Sequence, residues 1–414
     1  MGKRWLLIAL LWGLNGGWAE ERWSRFRGEG GTGQADGDPP ASWSEWQNVC
    51  WKTPLPGRGW SSPVVADGAI WLTTADDDGH SLRALCVDLV SGALLHDVPV
   101  FSPETPTFAN AVNSYATPSP VVAAGRVYVS FGTMGTACID AASAQVVWRN
   151  TELLLDHKEG PGSSPIVWRD RLILNCDGTD VQYVVALDTA TGQIVWRTER
   201  SAALLDSRFD LRKAYGTPTV LQAGEHEVLI SCGAKRFYAY DPNDGSELWW
   251  VDHDGYNTPQ APVQALGNVL LGTGWNHAAL MAVELDADAT GNITDSHVRW
   301  TLTRDVPKMP SPLVFHDRIF LISDDGVATW VDAADGNVLW RRKVLGKMFS
   351  SPVAAQGRIY AFDAKGAAAV MSAVDSPELL AENHLASGCM ASPALVGNAL
   401  IVRTTTHLYR IEQR

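Results

Sequence analysis

About every forty to fifty-five residues this chain restates one phrase. The clearest copy runs Ser311-Pro312-Leu313-Val314, then Arg318-Ile319-Phe320-Leu321, then Asp324-Asp325-Gly326, then Ala328-Thr329-Trp330-Val331-Asp332. It closes on Asp335-Gly336-Asn337-Val338-Leu339-Trp340-Arg341. Alternating and β-branched runs punctuated by Asp-Gly and other Gly-containing pairs read as four short strands joined by tight turns. One such unit cannot bury both of its faces, so it must stack on copies of itself.

Counting the copies sets the architecture. A Ser/Thr/Ala-Pro step opens each unit, at Pro63, Pro120, Pro165, Pro218, Pro262, Pro312, Pro352 and Pro393. Proline suits the first residue of a strand, where no ladder donor is needed. Most units close on a turn followed by tryptophan, as in Asp188-Thr189-Ala190-Thr191-Gly192-Gln193-Ile194-Val195-Trp196. The first unit runs through Gly92 to Leu94-Leu95 without the tryptophan, and the seventh is eroded to Leu379-Leu380-Ala381. The eighth stops at Tyr409-Arg410-Ile411, one strand short, while a spare closing phrase, Val49-Cys50-Trp51-Lys52, stands near the N-terminus. Lending that strand to the last unit closes the ring and removes free sheet edges. The chain therefore reads as all-β: an eight-bladed β-propeller of four-stranded antiparallel blades, closed by an N-terminal strand. Trp51, Trp148, Trp196, Trp249, Trp300 and Trp340 hold one place in the repeat. A large flat ring at a fixed position wedges between neighbouring blades, a structural role.

Residues 1–19 read as a signal peptide: Lys3 and Arg4, an apolar run from Trp5 to Trp12, and Gly17-Trp18-Ala19 before Glu20. The run is too short and Gly-rich for a membrane anchor, and no Cys follows it to accept lipid. The expectation is export to a periplasm or the extracellular space. Residues 20–43 read as an extended segment laid over the propeller or left loose, and residues 44–414 as the propeller. Without Lys3 and Arg4, 31 basic residues face 46 acidic ones, a net charge of −15. That balance opposes nucleic-acid and anionic-membrane binding. Of the six cysteines, Cys86 and Cys138, like Cys176 and Cys232, hold equivalent places in adjacent units, too far apart for a disulfide. Buried free thiols are expected. No Cys-x-x-Cys or c-type haem motif is present.

In a four-stranded blade the connections between units and the turns between second and third strands emerge on one face, where functional loops concentrate. Two inter-unit loops are long, from His96 to Thr117 and from Glu199 to Thr217. The residues just before the Pro anchors lie nearest the axis, and hold Arg58, Arg212, Lys213, Lys308 and Lys347 against one acid, Glu159. The second-to-third turns are acidic, with Asp76, Asp77, Asp78, Asp177, Asp180, Asp324 and Asp325. A basic collar at a channel mouth suits a small anionic ligand or a protein partner. Pairing of those lysines with the neighbouring Asp turns is the competing account, and stabilises little. Asn113, Tyr115, His157, Tyr215 and His277 complete the loop-face set. The two histidines with the two tyrosines also have the chemistry of an acid/base group. Asp286-Ala287-Asp288-Ala289-Thr290-Gly291 resembles the opening of a calcium loop, but His297 stands where a bidentate Glu belongs. No metal site is assigned. No Gly-x-Ser-x-Gly, His-Glu-x-x-His or phosphate loop occurs.

The phrases Ser61-Ser62-Pro63-Val64-Val65, Val184-Val185-Ala186-Leu187-Asp188 and Thr191-Gly192-Gln193-Ile194-Val195-Trp196 resemble the pyrroloquinoline-quinone-type propeller repeat, over essentially the whole of the chain that follows the signal peptide. In quinoprotein alcohol dehydrogenases this resemblance implies a quinone and calcium in the channel under an adjacent Cys-Cys pair, with an Asp base. This sequence has no adjacent cysteines. The resemblance also extends to the outer-membrane barrel-assembly propeller, a protein-binding lipoprotein without cofactor, whose lipid-accepting Cys is missing here. A third group is the exported bacterial propellers, many without assigned activity, which Asn113-Ser114-Tyr115-Ala116-Thr117-Pro118 and Thr406-His407-Leu408-Tyr409-Arg410-Ile411 resemble most. The reading favoured is an exported binding or scaffold propeller without redox cofactor. A quinone-dependent dehydrogenase, or a hydrolase or lyase acting on an anionic carbohydrate, is the alternative. Fold alone does not decide between them.

Overall fold

The computed structural model describes residues 22–201 and 208–414. The signal-peptide reading of residues 1–19 lies outside them. Eight four-stranded antiparallel blades follow in chain order, each numbered from its innermost strand: residues 64–101, 121–150, 166–199, 219–252, 263–302, 313–343 and 353–384, and last 394–412 completed by Val49–Pro54; the short strand Gly291–Asn292 adds a parallel edge to the fourth. In that last blade Trp51 pairs with Arg410 and Pro54 with His407, antiparallel, so the strand from the N-terminal side closes the ring. Cores form between blades: Val129 and Phe131 of the second blade, for instance, share one cluster with Trp71 and Leu82 of the first.

The first two strands of several blades meet in two-residue turns at positive φ, as in Asp67-Gly68 (50° and 76°) and Gln356-Gly357 (46° and 68°). This is the hairpin geometry that matches the strands' twist. These turns define one face of the disc. The inter-blade connections and second-to-third turns define the other, the loop face.

Two devices couple neighbouring blades. At the periphery the repeated tryptophan of one blade reaches the third-to-fourth turn of the next. Trp51, Trp148 and Trp300 donate their indole N–H to Leu89, Thr189 and Ala333 carbonyls at 3.0–3.1 Å. Each ring lies on the turn's glycine, and a Cβ at Gly92, Gly192 or Gly336 would come within 2.5–2.7 Å of it. Near the axis, the residue before each Pro anchor forms a ring of hydroxyls. Ser62 N–H donates to Ser119 Oγ, Ser119 to Ser164, Ser164 to Thr217, Ser311 to Ser351, Ser351 to Ser392 and Ser392 to Ser62, at 2.8–3.2 Å. Ala261 N–H likewise meets Ser311 Oγ at 3.0 Å. The ring is broken at one step, because Ala261 has no hydroxyl to offer Thr217.

From residue 22 the N-terminal segment runs across the channel between the inner strands of the ring. Trp23 pairs with Val65 of the first blade's inner strand, and Val122 N–H of the second donates to Ser24 O. On the opposite side Gln34 and Ala35 meet Val314 and Ala354 of the sixth and seventh blades. Arg27, fully buried, pins the crossing: its guanidinium donates to the carbonyls of Gly31, Thr32, Ser311 and Pro312 at 2.5–3.3 Å. Burial pushes that guanidinium down to about 9. Further along, Trp43 stacks on Tyr360 and Phe362 of the seventh blade, in a cluster shared with Leu400 and Leu408 of the eighth. It fills the junction where Ala381 stands in the tryptophan's place.

Candidate functional site

Because residues 22–35 cross the channel, the loop face opens into a blind cup of about 470 Å³ with Phe26 among its lining residues. The inter-blade loops supply most of the wall. Trp60, Tyr215, Tyr256 and Phe349 come from them, Trp275 from a second-to-third turn, and Met309, Met348 and Met390 fill between. Six members of the hydroxyl ring face the same space: Ser62, Ser119, Ser164, Thr217, Ser351 and Ser392. Each is at least 95% buried.

Four of the collar cations, Arg58, Lys213, Lys308 and Lys347, lie against aromatic rings of the loop face. Arg58 lies over Trp60 at 5.0 Å, Lys308 over Trp275 at 4.8 Å, Lys347 over Phe349 at 4.8 Å and Lys213 over Tyr256 at 5.5 Å. Such contacts contribute about 0.5–1 kcal/mol when exposed and more when desolvated. The acidic turns cap backbone instead. Asp324 Oδ1 accepts from Lys308 and Met309 N–H at 3.1 and 3.0 Å, and burial raises its carboxyl above the ordinary range. Asp177 is not at the surface: it forms a buried bidentate pair with Arg200, at 2.8 and 2.6 Å.

The residues singled out in the sequence divide between the cup and its supports. Asn113, Tyr215 and Lys347 line it. Asn113 Nδ2 donates to the Glu159 and Pro161 carbonyls, and its Oδ1 accepts from Thr117. Arg58 and Lys308 sit on cup aromatics, and the Arg58 guanidinium also reaches Ala111 O. Lys213 is buried, with Nζ 4.0 Å from Glu159. Arg212 follows the short turn Phe209–Leu211 and is half-buried. Tyr115 packs over Gly79, in the core between the first two blades. His277 is exposed on its turn, outside the cup lining.

His157 is a support. Its Nε2 accepts the Thr133 N–H at 3.0 Å, and burial pushes the imidazole down to about 4, so it is neutral near pH 7. Tyr215 donates its hydroxyl to His157 O at 2.7 Å, and burial holds that phenol well above its usual range. The backbone of one thus positions the other. The imidazole itself is engaged away from the cup.

Sequence reasoning missed Trp60, Tyr256, Trp275, Phe349 and the hydroxyl ring. A local signal existed for two of them: Arg58-Gly59-Trp60 and Lys347-Met348-Phe349 place an aromatic two residues after a collar cation. The serine or threonine before seven of the eight anchor prolines was equally visible.

A quinone with its calcium ion is the group this architecture invites, so the donors of the cup must be compared with its needs. Calcium takes six to eight oxygens, carboxylates prominent among them. The cup's two carboxylates are committed, Asp324 to its two amides and Glu159 Oε2 to Asn110 Nδ2 at 2.8 Å. Asn257 Oδ1 is buried without a partner, but one amide oxygen is no calcium cage. Among the described residues no three His, Cys, Asp or Glu side chains gather as a metal cluster. The residues present do not fit the pair, and no chemistry is routed through it.

Fold and site together define a class: an eight-bladed propeller of quinone-type repeats, plugged from its N-terminal side and open at its loop face. The family model described as outer membrane protein assembly factor BamB matches residues 83–292 and 287–411, and the chain belongs to that family. Outer membrane protein assembly factor BamB of Shewanella oneidensis is 22% identical over 305 residues, spanning 70% of this chain and 72% of its own. Among solved structures, quinohemoprotein alcohol dehydrogenase from Comamonas testosteroni superposes with a TM-score of 0.65 at 12% identity, covering 95% of this chain and 81% of its own. BamB from Moraxella catarrhalis gives 0.53 at 17% identity, covering 78% and 96%. At those identities the structural likenesses speak for the fold alone.

Proposed function

We propose that this protein is an exported binding scaffold of the cell envelope that docks a protein partner on its loop face and works without a redox cofactor. One observation carries the reading: Phe108, Val112, Leu154, Phe209 and Trp275 are large apolar side chains, 39–68% exposed, and all belong to loops of that face. These five sit within neighbouring loops and offer one apolar surface to a partner, while other exposed apolar side chains, such as Trp46, Val90, Leu266 and Val374, lie on other elements. Membership of the outer-membrane assembly factor family supports a binding role, and no helix among the described residues is long and apolar enough to cross a membrane.

The test places a photo-crosslinking residue at Val112 or Phe209 on the loop face and at Val374 on the opposite face, in cells of the native host. Crosslinks to one discrete envelope protein are expected from the loop-face positions alone. Equal yields from both faces, or none from either, would overturn the docking reading. N-terminal sequencing of the mature protein is expected to begin at Glu20, and an intact Met1 would refute export by signal cleavage.

A further inference from the structure

We propose that the blind cup is a binding site for an anionic saccharide, held by the spare hydroxyls of the serine ring, the aromatic wall and the cations stacked upon it.

The argument begins with unspent hydrogen bonds. Each of the six ring hydroxyls lining the cup accepts one backbone N–H from the neighbouring blade, and none of them donates to a protein acceptor among the described residues. A hydroxyl can donate once and accept twice. Every one of these buried groups therefore keeps a proton and a second lone pair. Asn257 adds a carboxamide whose oxygen is buried without a partner, held at φ +53° on the cup wall. Buried polar groups left open cost free energy unless something fills them. The complement of a hydroxyl ring is a ligand whose own groups both donate and accept, as sugar hydroxyls do.

The walls supply the second term. Trp60, Tyr256, Trp275 and Phe349 present flat apolar faces, the surface on which the C–H faces of a pyranose pack. A volume of about 470 Å³ lies inside the range of small-molecule sites. Charge supplies the third. The protein is strongly acidic as a whole, yet Lys347 lines the cup and Lys308 and Arg58 stack on its aromatic wall, with no salt bridge to any of the three among the described residues. A carboxylate, sulfate or phosphate on the sugar meets these cations at the rim, while a neutral sugar gains only the floor and the walls.

The inference goes beyond partner docking and stands without it. It is tested by titrating the purified protein with a trigalacturonate, a sulfated trisaccharide, a phosphorylated trisaccharide and neutral maltotriose, followed by calorimetry and by tryptophan fluorescence. At least one of the three anionic probes is expected to bind saturably with Kd at or below about 1 mM and to perturb the fluorescence, maltotriose at least about tenfold more weakly. Lys347→Ala, Trp275→Ala and Asn257→Gly are each expected to weaken that binding about tenfold with an unchanged melting temperature. Glycine at 257 keeps the left-handed backbone while removing the open carboxamide. Absence of binding by all three anionic probes would overturn the proposal and leave the ring to ordered water. So would binding that ignores charge or survives all three substitutions. Crosslinking from Phe209 that persists in the Lys347→Ala protein would show that partner docking is independent of the cup.

Discussion

The junction between the second and third blades and the junction between the first and second occupy the same place in the repeat and are built differently. At the former, Trp148 faces Cys138 across its sheet and lays its ring on Gly192, which sits at φ +73°. Its indole N–H reaches Thr189 O at 3.0 Å, and two residues on, Asn150 Nδ2 reaches Gly192 O at 2.8 Å. Thr53 and Thr198 repeat that last contact on Gly92 and Gly245. At the latter junction His96 faces Cys86 in the tryptophan's register, Val98 replaces the polar residue, and Ala144 replaces the glycine. What remains is an open groove lined by His96, Asp97, Ser143 and Arg149, bridged by Arg149 Nε on Val100 O at 2.8 Å. The tryptophan and the glycine are therefore one device, found at four junctions, and the polar residue joins it at three of them. The glycine is needed because the ring is there: where the ring is gone, alanine is tolerated, even at φ +56°.

The largest effect that follows is on the ring. Trp148→Ala is expected to destabilise by about 3–5 kcal/mol, the usual cost of emptying a buried aromatic site. His96→Ala, at the exposed equivalent, should change stability by less than about 0.5 kcal/mol. Urea unfolding of the two variants measures the difference directly. Equal losses would mean that the blades are held elsewhere, and that the tryptophan is incidental.

Next in size is the turn residue. Gly192→Ala puts a Cβ 2.5 Å from the Trp148 ring at a backbone angle that L-residues avoid, so a loss of about 1–3 kcal/mol is expected. Ala144→Gly relieves the same backbone angle with no ring to admit, and should stabilise by about 0.5–1 kcal/mol. If both substitutions lower the melting temperature alike, the coupling of glycine to tryptophan is wrong.

These elements also mark how far the sequence could be read. The blade count, the closing strand at residues 49–54 and the wedged tryptophans were legible because each repeats with the unit, and a repeat reports its own environment many times. The basic collar was legible as a set of charges, but its pairing was not. Lysine followed by an aromatic two residues on has no meaning until the loops turn both inward. The channel crossing was hidden for a different reason: Arg27 meets Ser311 and Pro312 across 284 and 285 residues, with no periodic signal to announce it. His157 misled because burial, which fixes its charge, is a property of the loops packed around it rather than of its neighbours in the chain.

The smallest expected effect lies at the inner ring, where the comparison recurs with a single break. Seven of the eight blade-to-blade steps close on a hydroxyl, and the step from the fourth blade to the fifth does not, because Ala261 stands where the others have serine or threonine. Ala261 is 4% exposed, so the missing bond is not replaced freely by bulk water. Ala261→Ser adds one oxygen in the position that its seven counterparts hold, facing the Thr217 N–H. A net gain of about 0.5–1.5 kcal/mol is the ordinary return of one buried hydrogen bond. Urea unfolding with an unchanged m-value and a higher midpoint would show the ring to be a clasp that adds stability step by step. A loss of stability would mean instead that this junction is packed around the methyl group, with no room for the hydroxyl. The ring would then serve the cup it surrounds more than the blades it joins.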